Sequence, residues 1–148
     1  MKQCVLNAII AIGLTLPAFG QEAVKVPDGI YQLNYAKSTI RGPIPKSLTI
    51  NTVGDTTTVI GFGLNDKPYT IVLPYIIDGK PHPITGSPVF DTETRTHLDM
   101  YTSSIKRTKE EKLVQAGYEI FNPQTNTFTL SLSFVDTPNS YVLVLEKQ

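Results

Sequence analysis

The chain has 148 residues, 13 basic against 13 acidic side chains, one cysteine and no tryptophan. Balanced charge leaves no electrostatic footprint for nucleic acid or an anionic membrane surface, and a lone cysteine excludes a disulfide framework and a thiolate metal cluster. At this length one domain with its own core is expected.

Residues 1–20 have the layout of a secretory signal peptide. Met1-Lys2 is a short basic start, an apolar stretch runs from Cys4 to Leu14, and Pro17 precedes the small residues Ala18 and Gly20. Cleavage between Gly20 and Gln21 is expected. That predicts a secreted or periplasmic product of bacterial type, with one mature domain over 21–148 that contains no thiol. Loss of Lys2 leaves one more acidic than basic residue. The leader's apolar run is too short to span a bilayer. Pro, Gly, Thr, Ser, Asp or Asn interrupts every later one, so no membrane insertion is expected.

From there on the hydrophobic period is two, the signature of half-buried strands. Gly29 to Asn34 is a first strand. Tyr35 to Ile40 has room for one helical turn, which Pro43 and Pro45 keep from extending. Lys46 to Val53 sets Leu48 and Ile50 on one side, and Thr56 to Phe62 sets Thr58, Ile60 and Phe62 together. Tyr69 to Ile77 aligns Tyr69, Ile71, Leu73, Tyr75 and Ile77. After an irregular stretch over Gly79 to Asp91, Thr94 to Tyr101 aligns Leu98 with Met100. Thr102 to Arg107 is short and polar around Ile105. Leu113 to Phe121 aligns Val114, Ala116, Tyr118 and Ile120. Phe128 to Phe134 alternates without exception, and Ser140 to Glu146 is apolar on both faces.

Turn residues separate these runs: Gly54-Asp55, Asn65-Asp66, Asp78-Gly79, Lys109-Glu110-Glu111, Asn122-Pro123 and Pro138-Asn139. Asp78-Gly79 has the composition of a two-residue hairpin turn. Short gaps imply antiparallel neighbours. The pattern predicts an all-β fold, an up-and-down antiparallel meander of about eight to ten strands closing into a barrel. A sandwich is the alternative, and it would call for longer crossings between sheets. An outer-membrane barrel needs an apolar outer face, whereas that face would here carry Thr, Ser, Arg95, His97 and Asp99.

Gly29-Ile30-Tyr31 resembles the Gly-x-Trp opening strand of lipocalin-like barrels, with Tyr31 at the aromatic position. A longer pattern comprises Leu33-Asn34, Lys37-Ser38, Gly42-Pro43-Ile44-Pro45-Lys46-Ser47, Asp78-Gly79-Lys80-Pro81, Thr85-Gly86-Ser87-Pro88 and Asp91-Thr92. It resembles a group of small exported bacterial proteins of uncharacterised function. The resemblance implies export and a lipocalin-like barrel.

No motif points to catalysis. His82 and His97, with Asp91, Glu93 and Asp99, match no zinc spacing, so neither a metal nor a cofactor is expected. A nucleophile elbow is absent. Thr85-Gly86-Ser87 could form an anion-binding nest, but it is also an ordinary turn beside a proline. Lys106, Arg107, Lys109 and Lys112 make a basic hairpin tip that Glu110 and Glu111 offset. The apolar phases, read as the barrel interior, carry no charge, and any ligand is therefore expected to be apolar or weakly polar. The candidate ligand-binding residues are Tyr31, Ile60, Phe62, Leu73, Tyr75, Leu98 and Tyr118. The alternative is a protein-binding or inhibitory module that docks a partner through the proline-stiffened loops Arg41–Lys46 and Gly79–Asp91.

Overall fold

The computed structural model describes residues 23–43, 45–62 and 67–148. The leader expected over 1–20 and the Phe62 side chain lie outside the described residues. Eleven strands follow in chain order: β1 (Gly29–Leu33), β2 (Thr39–Arg41), β3 (Ser47–Val53), β4 (Thr56–Phe62), β5 (Pro68–Pro74), β6 (Pro81–Pro83), β7 (Thr92–Asp99), β8 (Thr102–Lys109), β9 (Lys112–Asn122), β10 (Thr127–Phe134) and β11 (Ser140–Lys147). Tyr35–Lys37 forms a single 3-10 turn, capped by the Asn34 side chain, which accepts from the Lys37 N–H. Hydrogen-bonded neighbours run β5-β4-β3-β1-β11-β10-β9-β8-β7-β6, all antiparallel, and β2 pairs with β11 beside this path.

The two ends of that order meet. Val72 N donates to Thr85 O at 2.9 Å and Thr85 N to Val72 O at 3.1 Å. This single bridge closes an up-and-down meander of ten strands into a nearly complete barrel. The strands at the seam are edges, and prolines stand at their ends: Pro68 and Pro74 on β5, Pro81 and Pro83 on β6. Proline offers no N–H to a foreign strand, which suits an edge.

Turn chemistry explains most of the corners. Gly54 has φ 57° between β3 and β4, where Val53 pairs with Thr56. Glu110 and Glu111 both have positive φ in the two-residue link between β8 and β9, the geometry that matches the twist of a hairpin. Asp78-Gly79 departs from expectation. Gly79 has φ 73°, but six residues separate β5 from β6 and the two strands share no ladder. The Asp78 carboxylate instead accepts from Lys80 N and meets His82 at 2.9 Å.

The inner face holds Tyr31 and Leu33 of β1, Leu48 and Ile50 of β3, Phe128, Leu130 and Leu132 of β10, and Leu143 and Leu145 of β11, all buried in one core. The Tyr31 and Phe128 rings meet edge to face at 4.9 Å. Residues before β1 cross one end of the barrel. Val24 N reaches Met100 O at 2.9 Å, buried Val26 donates to the Tyr75 hydroxyl at 3.3 Å, and Tyr31 donates to Pro27 O at 2.7 Å.

On three strands the inward phase is the opposite of the one expected. In β4, Thr57 and Gly61 are buried and Ile60 faces out; Gly61 leaves the inner side open for the Tyr69 ring on β5. In β7, Glu93 and Arg95 are buried and Leu98 is exposed. In β9, Gln115, Glu119 and Phe121 are buried while Tyr118 and Ile120 are exposed. The ladders dictate this. Phe121 stands opposite Phe128 and Glu119 opposite Leu130, and β10 has only one apolar face to offer the interior.

Candidate functional site

The barrel is not filled by its own side chains. Its interior holds a cavity of about 310 Å³, partly open to solvent, at the lower end of the range for small-molecule sites (about 300–1,000 Å³). Leu48, Ile50, Val59, Ile71 and Leu73 make one wall, and Leu130, Leu132 and Leu143 continue it. Pro43, Pro45, Tyr69, Phe134 and Tyr141 border the end away from the Val26 segment. There Tyr35 donates to Pro45 O at 2.6 Å, and the Phe134 and Tyr141 rings lie edge to face at 6.0 Å.

The facing wall is charged. Arg95 of β7, Arg107 of β8, and Gln115 and Glu119 of β9 all line the cavity, with Tyr75 just beyond β5. Glu93 sits behind them, 1 % exposed. Its two oxygens each accept from one arginine: Oε1 from Arg95 Nε at 2.5 Å, Oε2 from Arg107 Nε at 2.7 Å. Arg95 Nη1 then donates to Glu119 Oε2 at 2.8 Å, and Arg107 Nη1 to Gln115 Oε1 at 2.7 Å. The Tyr75 hydroxyl donates to the other oxygen of Glu119. Both guanidinium groups also lie over rings, Arg95 at 4.4 Å from the Tyr75 centroid and Arg107 at 4.9 Å from that of Phe90, a favourable cation–π geometry.

The register explains how this cluster assembles. Glu93 stands opposite Arg107 in the β7–β8 ladder, and Arg107 opposite Gln115 in the β8–β9 ladder. Two cations and two anions balance, as a buried charged group requires. Burial pushes the Glu93 carboxyl up, but the charges of Arg95 and Arg107, and their hydrogen bonds, pull harder and hold it below its ordinary 4.5. Burial also works against the Arg95 charge, yet Glu119 and Glu93 raise its pKa above the usual value. For Tyr75, burial and then the Glu119 charge hold the phenol far above its ordinary range, so it remains a donor.

Of the residues expected to bind a ligand, Leu73 and Tyr75 line the cavity. Tyr31 is wholly buried in the core beside Phe128. Ile60, Leu98 and Tyr118 point outward, 45 %, 53 % and 52 % exposed, and Phe62 lies outside the described side chains. The expectation of an uncharged interior is overturned by Glu93, Arg95, Arg107 and Glu119. Two signals in the sequence could have found them. One is the polar phase Glu93-x-Arg95, and the other is the hairpin spacing that sets Glu93 against Arg107. His97 belongs to the same phase as Arg95; its Nδ1 is the one buried side-chain polar atom without a partner among the described residues. The segment Gly79–Asp91, expected as a mouth loop, carries β6 and the seam, and its Ile84 and Phe90 pack on Leu73. Among the described residues no group of three or more His, Cys, Asp or Glu converges as metal ligands would.

No protein-family model, curated protein or solved structure matches the chain. The reading of function therefore rests on the cavity itself.

Proposed function

We propose that this barrel is an exported binding module that carries one small, mostly apolar guest in its interior. The observation that carries the reading is the cavity of about 310 Å³ running between an apolar wall and a buried, self-neutralised cluster. The apolar wall supplies affinity through area removed from water. The charged wall supplies orientation, since it is fixed before any guest arrives. The Glu93 carboxylate is held ionised between two arginines, a state suited to positioning rather than to passing protons. Export is supported by the basic-apolar-small order of residues 1–20, and Pro43 and Pro45 serve this reading as a cavity border.

A neutral, environment-sensitive fluorophore such as N-phenyl-1-naphthylamine tests it. The purified domain is expected to enhance its emission with saturable, one-to-one stoichiometry. Ile71→Trp, which fills the lumen from the apolar wall, is expected to weaken that binding by at least about tenfold while leaving the far-ultraviolet circular dichroism unchanged. A wild-type barrel that takes up no probe would overturn the proposal.

A further inference from the structure

We infer that the guest is a neutral amphiphile of about ten heavy atoms whose polar end is a hydrogen-bond acceptor, such as a ketone or ester, and not a fatty acid or an amine. The inference rests on the cavity being a binding site and adds the chemical class of what it takes. Size follows from volume: about 310 Å³ is the share of roughly ten water molecules at about 30 Å³ each.

Charge follows from the cluster. Arg95 and Arg107 are matched by Glu93 and Glu119, so the wall has no net charge to offer an ion. A carboxylate entering here would share its arginines with two carboxylates already bound to them. An ammonium would meet two guanidinium groups whose counter-ions are engaged. Either ion would also leave water without a counter-charge, and burying an unpaired ion is far costlier than burying a neutral polar group.

Polarity follows from which atoms the cluster uses. Both oxygens of Glu119, the only carboxylate among the described lining residues, are already accepting, from Arg95 and from Tyr75. The arginines spend Nε and Nη1 on these bonds, and a guanidinium carries five N–H donors. Gln115 uses its oxygen toward Arg107, which leaves its amide N–H groups. What the wall has in surplus is donors, so the complementary group is an acceptor. A guest without one gains only from the apolar wall.

Displacement of the fluorophore by three ligands of equal heavy-atom count decides the matter at neutral pH: 2-decanone, nonanoate and decylammonium. The ketone is expected to bind at least about tenfold tighter than either ion. Replacing the donor side chain by Gln115→Leu is expected to reduce ketone affinity several-fold more than fluorophore affinity. Nonanoate or decylammonium binding as well as the ketone overturns the inference, and so does a fluorophore that binds while none of the three displaces it. A barrel that takes up no fluorophore defeats the cavity reading itself, so the two failures are distinct.

Discussion

At the scale of single residues the interior turns on Glu93. It is the hub that both arginines share, and it lies behind the cavity lining. Its removal leaves Arg95 with Glu119 alone and Arg107 with Gln115 as its hydrogen-bond partner in the cluster. Breaking one partner out of a buried ionic group typically costs about 3–5 kcal/mol, and Glu93→Gln is expected to lose stability in that range at neutral pH. The pH dependence has a definite sign. The folded-state pKa of Glu93 lies below its ordinary 4.5. The stabilisation is therefore complete above that value and is lost as pH falls toward and through the depressed one. Urea unfolding across the interval from neutral to about pH 3 should show the wild-type stability converging on that of Glu93→Gln as acid is added. Two curves that stay parallel would show that Glu93 is not held ionised by its neighbours.

At the scale of elements the weak point is the seam. Every other strand junction is a ladder, whereas among the described residues the backbone of β5 pairs with the segment after β6 only at Val72 and Thr85. Leu73, Ile84 and Phe90 pack beneath that bridge, so the seam owes its hold to a small apolar cluster and two hydrogen bonds. Gly86 makes the approach possible. Its φ is 83°, and a Cβ there would collide with the Thr70 carbonyl oxygen. Gly86→Ala is therefore expected to cost at least about 1–3 kcal/mol. Its signature should be local: amide exchange at Val72 and Thr85 is expected to accelerate more than exchange in the β9–β10 ladder. Uniform acceleration would mean that the barrel opens only as a whole and that the seam is no weaker than the rest. The placement of β6 also shows a limit of composition. Pro81-His82-Pro83 resembles a loop because two of three residues lack an N–H, yet an edge position tolerates that.

At the scale of the whole molecule, the ring of antiparallel strands was legible because strict alternation and short turns leave few ways to bury one face of each strand. The lumen was less so. A period of two announces two faces but not which one is inside, and in β9 both phases are plausible: Val114, Ala116, Tyr118 and Ile120, or Gln115, Gly117, Glu119 and Phe121. Pairing with β10 decides it. A buried charge also needs partners from distant parts of the chain, such as Tyr75 for Glu119 or Arg107 for Glu93, and no single strand displays them. This global sharing has a consequence for binding. The cavity is walled by β3, β4, β5, β7, β8, β9, β10 and β11 together, so the proposed guest would contact nearly every element and would be lost when any of them detaches. Occupancy should therefore stabilise the fold as one unit, by about 2.7 kcal/mol at a ligand concentration of one hundred times Kd. For a domain of this size that is a rise of several degrees in Tm. Calorimetry with 2-decanone is expected to show that rise in the wild type and a clearly smaller one at the same ligand concentration in Ile71→Trp. An equal rise in both would place the ligand on the outer surface, where Tyr118 and Leu98 are exposed, and not in the lumen.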